Sequence, residues 1–111
     1  MASTPYEEVV EWVEDHAEAP AADKLAKLIL SLARGGCAFS LREVFDDLGE
    51  AQSVLALRAI AHYAQRGEDS ALREAGERIS DGYQDLCVLG QVAHRAQEAL
   101  IDRWPPSSKN D

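Results

Sequence analysis

The chain has 111 residues, close to the commonest size of a single domain. Twenty acidic residues outweigh eleven basic ones and give a formal net charge of −9, which argues against a protein that binds nucleic-acid phosphates through a broad basic face. Hydrophobic residues make up 46% of the chain but aromatic residues only 6%, which favours a helical core of Leu, Val, Ile and Ala.

The first predicted helix begins at Pro5, because Thr4 and Glu7 form a capping box around a proline at the first helical position. Along residues 6–18, a rotation of about 100° per residue gathers the apolar side chains on one arc and the carboxylates on the opposite arc. These carboxylates are Glu7, Glu8, Glu11, Glu14, Asp15 and Glu18. The sequence therefore predicts a helix that turns an acidic face to solvent.

Glycines and capping residues set the limits of the next two predicted helices. Helix 2 is predicted over residues 21–34, where it meets a glycine pair that begins at Gly35. Ser40 and Glu43 form a second capping box that opens a short helix 3. Gly49 is expected to end that helix as its C′ residue.

Helix 4 is predicted over residues 50–66 and is apolar nearly all round. Its polar seam contains Arg58, His62 and Gln65. A helix of this composition is expected at the centre of a bundle.

The remaining chain predicts two more helices and a tail. Asp69 or Ser70 caps helix 5, which breaks or kinks at residues 80–82. A long last helix follows over residues 83–104, and two prolines open a flexible tail at 105–111.

The predicted fold is an all-α, single-domain bundle of five or six helices over residues 1–104, with helix 4 and the long C-terminal helix at its centre. The apolar stripe of the last helix is wider than one contact covers, so it is expected to touch two neighbours and leaves room for a homodimer. No apolar run reaches the length of a membrane span. The first twenty residues hold six acids and no Lys or Arg, which predicts a cytoplasmic protein without a signal peptide.

Known chemical motifs are missing from the sequence. Cys37 and Cys87 are fifty positions apart, a spacing typical of neither zinc ligands nor a disulfide framework, so both are expected to be thiols, with Cys87 in the core. No Glu precedes a His by three residues, and no phosphate-binding or serine-nucleophile loop is present. We therefore expect no metal, no cofactor and no enzymatic activity.

Two alternatives stay open. Arg58 and His62, four residues apart, could transfer protons in a hydrolase or nuclease without a known motif, although a structural pairing with Asp46, Asp47 or Asp85 is the stronger expectation. Residues 42–54 also resemble the trace of a helix-turn-helix DNA-binding regulator. Acidic residues at the start of its second helix would repel phosphate, which disfavours nucleic acid as a partner.

The acidic face of helix 1 favours a different function. Residues 1–50 hold eleven acidic and four basic side chains, against nine and seven in residues 51–111. A solvated face that aids solubility is one interpretation. The other is a non-catalytic inhibitor of the immunity, antitoxin or nucleic-acid-mimic type that docks on a basic partner protein. The expected contact residues are Glu7, Glu11, Trp12, Glu14, Asp15, Glu18, Asp46, Asp47 and Glu50.

Overall fold

The computed structural model describes residues 4–34, 37 and 39–103, which form six helices and no strand. The helices are α1 (Pro5–Asp15), α2 (Pro20–Ala33), α3 (Leu41–Phe45), α4 (Glu50–Arg66), α5 (Ser70–Gly82) and α6 (Gln84–Arg103). The predicted all-α bundle is confirmed. Residues 104–111, which include the predicted tail, lie outside the described residues. The limits of the domain therefore stay a prediction.

Three helices begin at side-chain caps of the predicted kind. The backbone N–H of Glu7 donates to the Thr4 hydroxyl at 3.2 Å, and that of Glu43 donates to the Ser40 hydroxyl at 3.1 Å. At the start of α5 the cap is Asp69, whose carboxylate accepts from the N–H of Leu72 at 2.9 Å. Each cap gives a partner to a backbone donor that the helix itself leaves free.

The turn between α3 and α4 differs from the prediction at Gly49. The left-handed residue is Asp47, with φ of 58°, and not Gly49, which has φ of −63° and is the N-cap of α4. Because α3 ends already at Phe45, the chain reverses two residues earlier than the glycine suggests. Aspartate tolerates this backbone conformation better than most residues with a side chain.

The predicted break between the last two helices is confirmed, and it falls at Tyr83. This residue has φ of −135° and ψ of 52°, and its N–H donates to the carbonyl of Ile79 at 2.8 Å. Asp81 lies inside the last turn of α5. It therefore does not act as the N-cap of α6.

Helix α2, and not the predicted helix 4, occupies the centre of the bundle. It packs against α1, α3, α4, α5 and α6. Its large apolar side chains Leu25, Ile29 and Leu30 are fully buried. Burial of side chains of this size contributes roughly 1.5–3 kcal/mol each. The helix with the largest inward-facing residues thus has the most neighbours.

Helices α4 and α6 each leave an apolar face outside the bundle. In α4 only Ala56 and Ala59 are buried, whereas Val54 and Leu57 are at least half exposed. Helix α6 contacts two neighbours, α2 and α5, as predicted, but it lies at the edge of the bundle. Of the helices within the described residues, none combines the length and the apolar content that crossing a bilayer requires. The apolar content of α4 and α6 predicted central positions for both helices. Neighbouring helices, however, cover only one side of each.

Two close contacts fix the position of the last two helices. A Cβ atom added to Gly76 would lie 2.6 Å from Cβ of Ala33, so α5 approaches α2 where neither residue has a large side chain. Likewise, a Cβ on Gly90 of α6 would lie 2.9 Å from the ring of Phe39. Glycine at both positions permits the approach that a larger residue would prevent.

The two cysteines are free thiols that meet in the folded chain. Cys37 is buried and Cys87 is half-buried, so the core position belongs to Cys37, contrary to the prediction for Cys87. The Cys37 thiol lies 3.8 Å from the carbonyl oxygen of Cys87. Burial, followed by the Cys87 thiol, raises the pKa of Cys37.

Candidate functional site

One end of the bundle collects the ends of several helices. The four-residue turn from His16 to Ala19 joins α1 to α2, and the two helices pack together. The C-terminal end of α1 and the N-terminal end of α2 therefore lie side by side. Asp15, Glu18 and Asp23 are exposed there.

Helix α4 runs antiparallel to α1 and reaches the same end. The rings of Tyr6 and His62 meet edge to face with centroids 4.9 Å apart, and Glu8 pairs with Arg58 at 3.1 Å. Residues later in α1 therefore lie beside residues earlier in α4. Glu50, at the start of α4, consequently lies towards the C-terminal end of α1.

The turns before α4 and after α5 complete this end of the molecule. The ammonium of Lys24 in α2 donates to the backbone carbonyl of Asp46. Arg78 in α5 pairs with Glu14 in α1, which brings the C-terminal end of α5 alongside. An open cleft of about 590 Å³ is lined by Asp23 and by residues 81–86.

We call this region the acidic end and define it by its exposed carboxylates. They belong to Asp15, Glu18, Asp23, Asp46, Asp47, Glu50, Asp81 and Asp85. The basic side chains that the contacts above place here are Lys24 and Arg78. Arg42, one turn before Asp46, adds a third cation, and eight carboxylates against three cations produce a negative local field.

The acidic end contains five of the nine residues predicted to contact a partner. These are Asp15, Glu18, Asp46, Asp47 and Glu50. Sequence analysis missed Asp23, Asp81 and Asp85. Asp23 and Asp85 lie in the first turns of their helices, where acids are favoured by the helix dipole, and this was the available signal.

The other predicted contact residues lie along α1. Glu14 borders the acidic end, but it is hydrogen-bonded to Arg78. Glu11 is exposed, and Glu7 accepts a hydrogen bond from the Thr4 hydroxyl at 3.2 Å. The hydrogen bond to Glu14 raises the pKa of Arg78, and the charges of Glu11 and Glu7 add to the effect. The acidic face of α1 is therefore partly compensated by Arg78.

Trp12, one of the predicted contact residues, lies at the edge of the core. Its ring is half-buried, packs against the core and stacks on His16 with centroids 4.2 Å apart and planes 13° apart. This stack closes the C-terminal end of α1. The exposed edge of the pair borders the acidic end.

The polar seam of α4 is bound to neighbouring segments. The carboxylate partners of Arg58 and His62 are Glu8 and Asp69, respectively, and not Asp46, Asp47 or Asp85 as expected. His62 lies 3.8 Å from Asp69, and only 18% of its side chain is exposed. Arg58 thus joins α4 to α1, whereas His62 lies beside the α4–α5 turn, where its Nε2 has no hydrogen bond to any residue that the structure describes.

Within the described residues, no group of three or more His, Cys, Asp or Glu side chains could hold a metal ion. The carboxylates of the acidic end are spread over separate helix termini, an arrangement suited to long-range attraction of cations. Comparison with known proteins found no match to this chain among protein-family models, curated proteins or solved structures.

Proposed function

We propose that this chain is a non-catalytic binding protein, in the cytoplasm, that attaches through its acidic end to a basic surface of a partner protein. The partner is a nucleic-acid-binding protein or a toxin with a cationic cleft, and the chain inhibits it by covering that cleft. The proposal assigns recognition to the eight carboxylates of the acidic end, with Glu11 and Glu14 of α1 at its border.

One observation carries this proposal: carboxylates from three separate junctions between helices converge at one end. Asp15 and Asp23 flank the α1–α2 turn, Asp46 and Glu50 flank the α3–α4 turn, and Asp81 precedes α6. The carboxylates are exposed, so the field acts on solvent and on approaching molecules. Fields of this kind raise association rates by orders of magnitude and act over a Debye length of about 8–10 Å.

We infer the inhibitor role from the position of the carboxylates at the acidic end. A cationic cleft that binds phosphate groups would attract a cluster of carboxylates on a rigid support. Helix termini fix these carboxylates at defined spacings, which reduces the entropy lost on binding. The partner is therefore characterised by a concave basic surface.

The experiment compares two triple variants of equal net charge. The first carries Asp46→Lys, Glu50→Lys and Asp81→Lys at the acidic end. The control carries Glu68→Lys, Glu74→Lys and Glu98→Lys, all exposed and at least seven residues in sequence from any carboxylate of the acidic end. Circular dichroism and thermal melts establish that both fold.

Wild-type protein and both variants serve as baits in pull-downs from the source cell, and the captured protein is identified by mass spectrometry. We expect wild type and control to retain the same basic partner and the acidic-end variant to lose it. With the purified partner, the acidic-end variant should associate at least tenfold more slowly at low salt, with a weaker salt dependence. Equal effects of the two variants would contradict the proposal, because net charge alone would then govern binding.

The two alternatives give different outcomes in simple assays. A regulator of the helix-turn-helix type would shift duplex DNA in a low-salt gel and lose the shift on Gln52→Ala. A hydrolase or nuclease would lose its turnover on His62→Ala, whereas here that change affects only stability. A DNA shift that Gln52→Ala abolishes would overturn the proposal. So would a turnover that His62→Ala abolishes.

A further inference from the structure

Helix α6 carries an apolar stripe that is largely turned away from the bundle, although Leu89 at its edge also lines a cleft with Lys27, Phe39 and Glu43. At about 100° per residue, six apolar residues fall within an arc of about 120°, on the side of the helix away from Gly90, which contacts Phe39. They are Val88, Leu89, Val92, Ala96, Ala99 and Leu100, called here the α6 stripe. The four larger side chains are each more than half exposed.

The α6 stripe is uncharged along its whole length. The charged residues between its ends, Arg95 and Glu98, lie outside the arc and have opposite signs. Because the chain has a net charge of −9, a second copy is repelled at the acidic end but not along this stripe. The stripe therefore allows two copies to approach.

The order of large and small residues makes the stripe complementary to itself. Leu89, Val92, Ala96 and Ala99 follow the three- and four-residue spacing of a coiled-coil seam. When two such helices pair antiparallel, Leu89 faces Ala99 of the second copy and Val92 faces Ala96, and two-fold symmetry repeats both contacts. A parallel pair would instead place leucine on leucine and alanine on alanine, which leaves voids between the alanines.

Antiparallel pairing also separates the two acidic ends. Asp85 stands at the start of α6, so the two copies of this residue would lie at opposite ends of the paired helices. At a rise of 1.5 Å per residue the separation is about 25–30 Å, well beyond the Debye length of about 8–10 Å. Repulsion between the acidic ends is therefore screened.

We propose that a second copy of this chain covers the α6 stripe in an antiparallel, two-fold symmetric dimer centred between Val92 and Ala96. The stripe exposes roughly 500 Å² of apolar surface, comparable to the largest patches on monomers. Two copies would bury at most about 1,000 Å² in total, near the lower limit for a specific interface, so we expect a weak dimer that dissociates on dilution. The inference is independent of the proposed function.

Helix α4 supplies a matched control. Its exposed residues Val54, Leu57, Ala61 and Ala64 repeat the spacing of the α6 seam, but this row has two large side chains, whereas the whole α6 stripe has four. The α4 row therefore offers about half the apolar area of the α6 stripe. Val92 and Val54 are 54% and 50% exposed, which makes them suitable for the same substitution.

Sedimentation velocity from roughly 1 µM to 1 mM provides the first test. Wild type should shift from monomer to dimer with concentration, Val92→Glu should stay monomeric, and Val54→Glu should behave like wild type. A wild-type protein that is monomeric throughout would overturn the inference. So would an equal loss of dimer in the Val54→Glu variant, which would assign the interface to α4.

A swap across the seam tests the antiparallel geometry without adding charge. Val92→Ala leaves a gap opposite Ala96 of the second copy, and Ala96→Val places two valines opposite each other. Each change should therefore weaken dimerisation about tenfold. The double variant Val92→Ala/Ala96→Val restores one large and one small residue in each contact and should return to within about threefold of wild type. Additive losses in the double variant would overturn the proposed pairing, and so would tighter dimerisation of Ala96→Val, because in a parallel pair the new valines would fill the void between facing alanines. Thermal melts confirm that the three variants fold.

Discussion

Arg78 of α5 and Glu14 of α1 form a two-pronged ion pair in which the Arg78 Nε–H donates to one carboxylate oxygen at 3.1 Å. The second nitrogen donates to the other oxygen. The pair joins two helices through residues that are sixty-four positions apart in sequence. It also neutralises one carboxylate of the α1 acidic face beside the acidic end.

Replacement of Arg78 by Met should remove this neutralisation at small structural cost. Both side chains are close to half exposed, so the pair contributes at most about 1 kcal/mol to the free energy of unfolding. Urea unfolding at low and high salt measures the effect, and high salt should reduce the difference from wild type. Arg73→Met is the control, and an equal loss there would argue against a specific role of the Glu14 pair.

Tyr6 connects α1 to the end of α4. Its side chain is fully buried, and its hydroxyl donates to the carbonyl of Gly67 at 3.3 Å. Burial raises the pKa of Tyr6, and the charges of Asp69 and Tyr63 raise it further. The folded state therefore holds the phenolic proton more tightly than the unfolded state does.

Tyr6→Phe should have two separable effects. The lost hydrogen bond should cost about 1 kcal/mol at neutral pH. A raised folded pKa gives stability that is complete below the unfolded value of about 10 and is lost as pH rises above it. The variant should consequently lose less stability than wild type as the pH rises from about 10 through the raised folded pKa of Tyr6. Urea unfolding as a function of pH measures both effects, and a Tyr6→Phe variant with the wild-type slope above about pH 10 would contradict the raised pKa of Tyr6.

Cys37 and Cys87 should differ in their reaction with iodoacetamide. Only the thiolate reacts, and burial together with Cys87 raises the pKa of Cys37. Half-buried Cys87 should therefore be alkylated first in native protein, as determined by peptide mass spectrometry over time. In denaturing urea the two rates should converge. Faster native labelling of Cys37 would contradict the described packing of residue 37.

Gly76 and Gly82 give a paired test of the α2–α5 contact, because both lie in α5. A Cβ at Gly76 would lie 2.6 Å from that of Ala33, whereas a Cβ at Gly82 meets nothing within 4 Å. Gly76→Ala should lower the free energy of unfolding by about 1–3 kcal/mol through overpacking. Gly82→Ala should raise it, by up to about 1 kcal/mol, through helix propensity. Thermal or urea unfolding of both variants measures the contrast, and a stabilising Gly76→Ala would mean that the helices are less tightly packed here.

Local sequence determined where the capped helices begin, whereas the end of α3 was not predicted from it. The caps at Thr4 and Ser40 were predicted because a cap depends on a side chain and a backbone N–H only three residues apart. The limits of α4 and the separation of acidic from apolar side chains in α1 follow from equally short-range spacing. These features are set by neighbours within one or two turns of the same helix.

Tertiary structure decided which apolar faces are covered and which distant residues meet. Helix α4 looked central because its apolar content was high, but packing covers only its Ala56 and Ala59 side. The contact of Cys37 with Cys87 and the assembly of the acidic end join segments that lie far apart in sequence. Such contacts depend on how helices cross and on the connections between them, and helical periodicity carries no information about either.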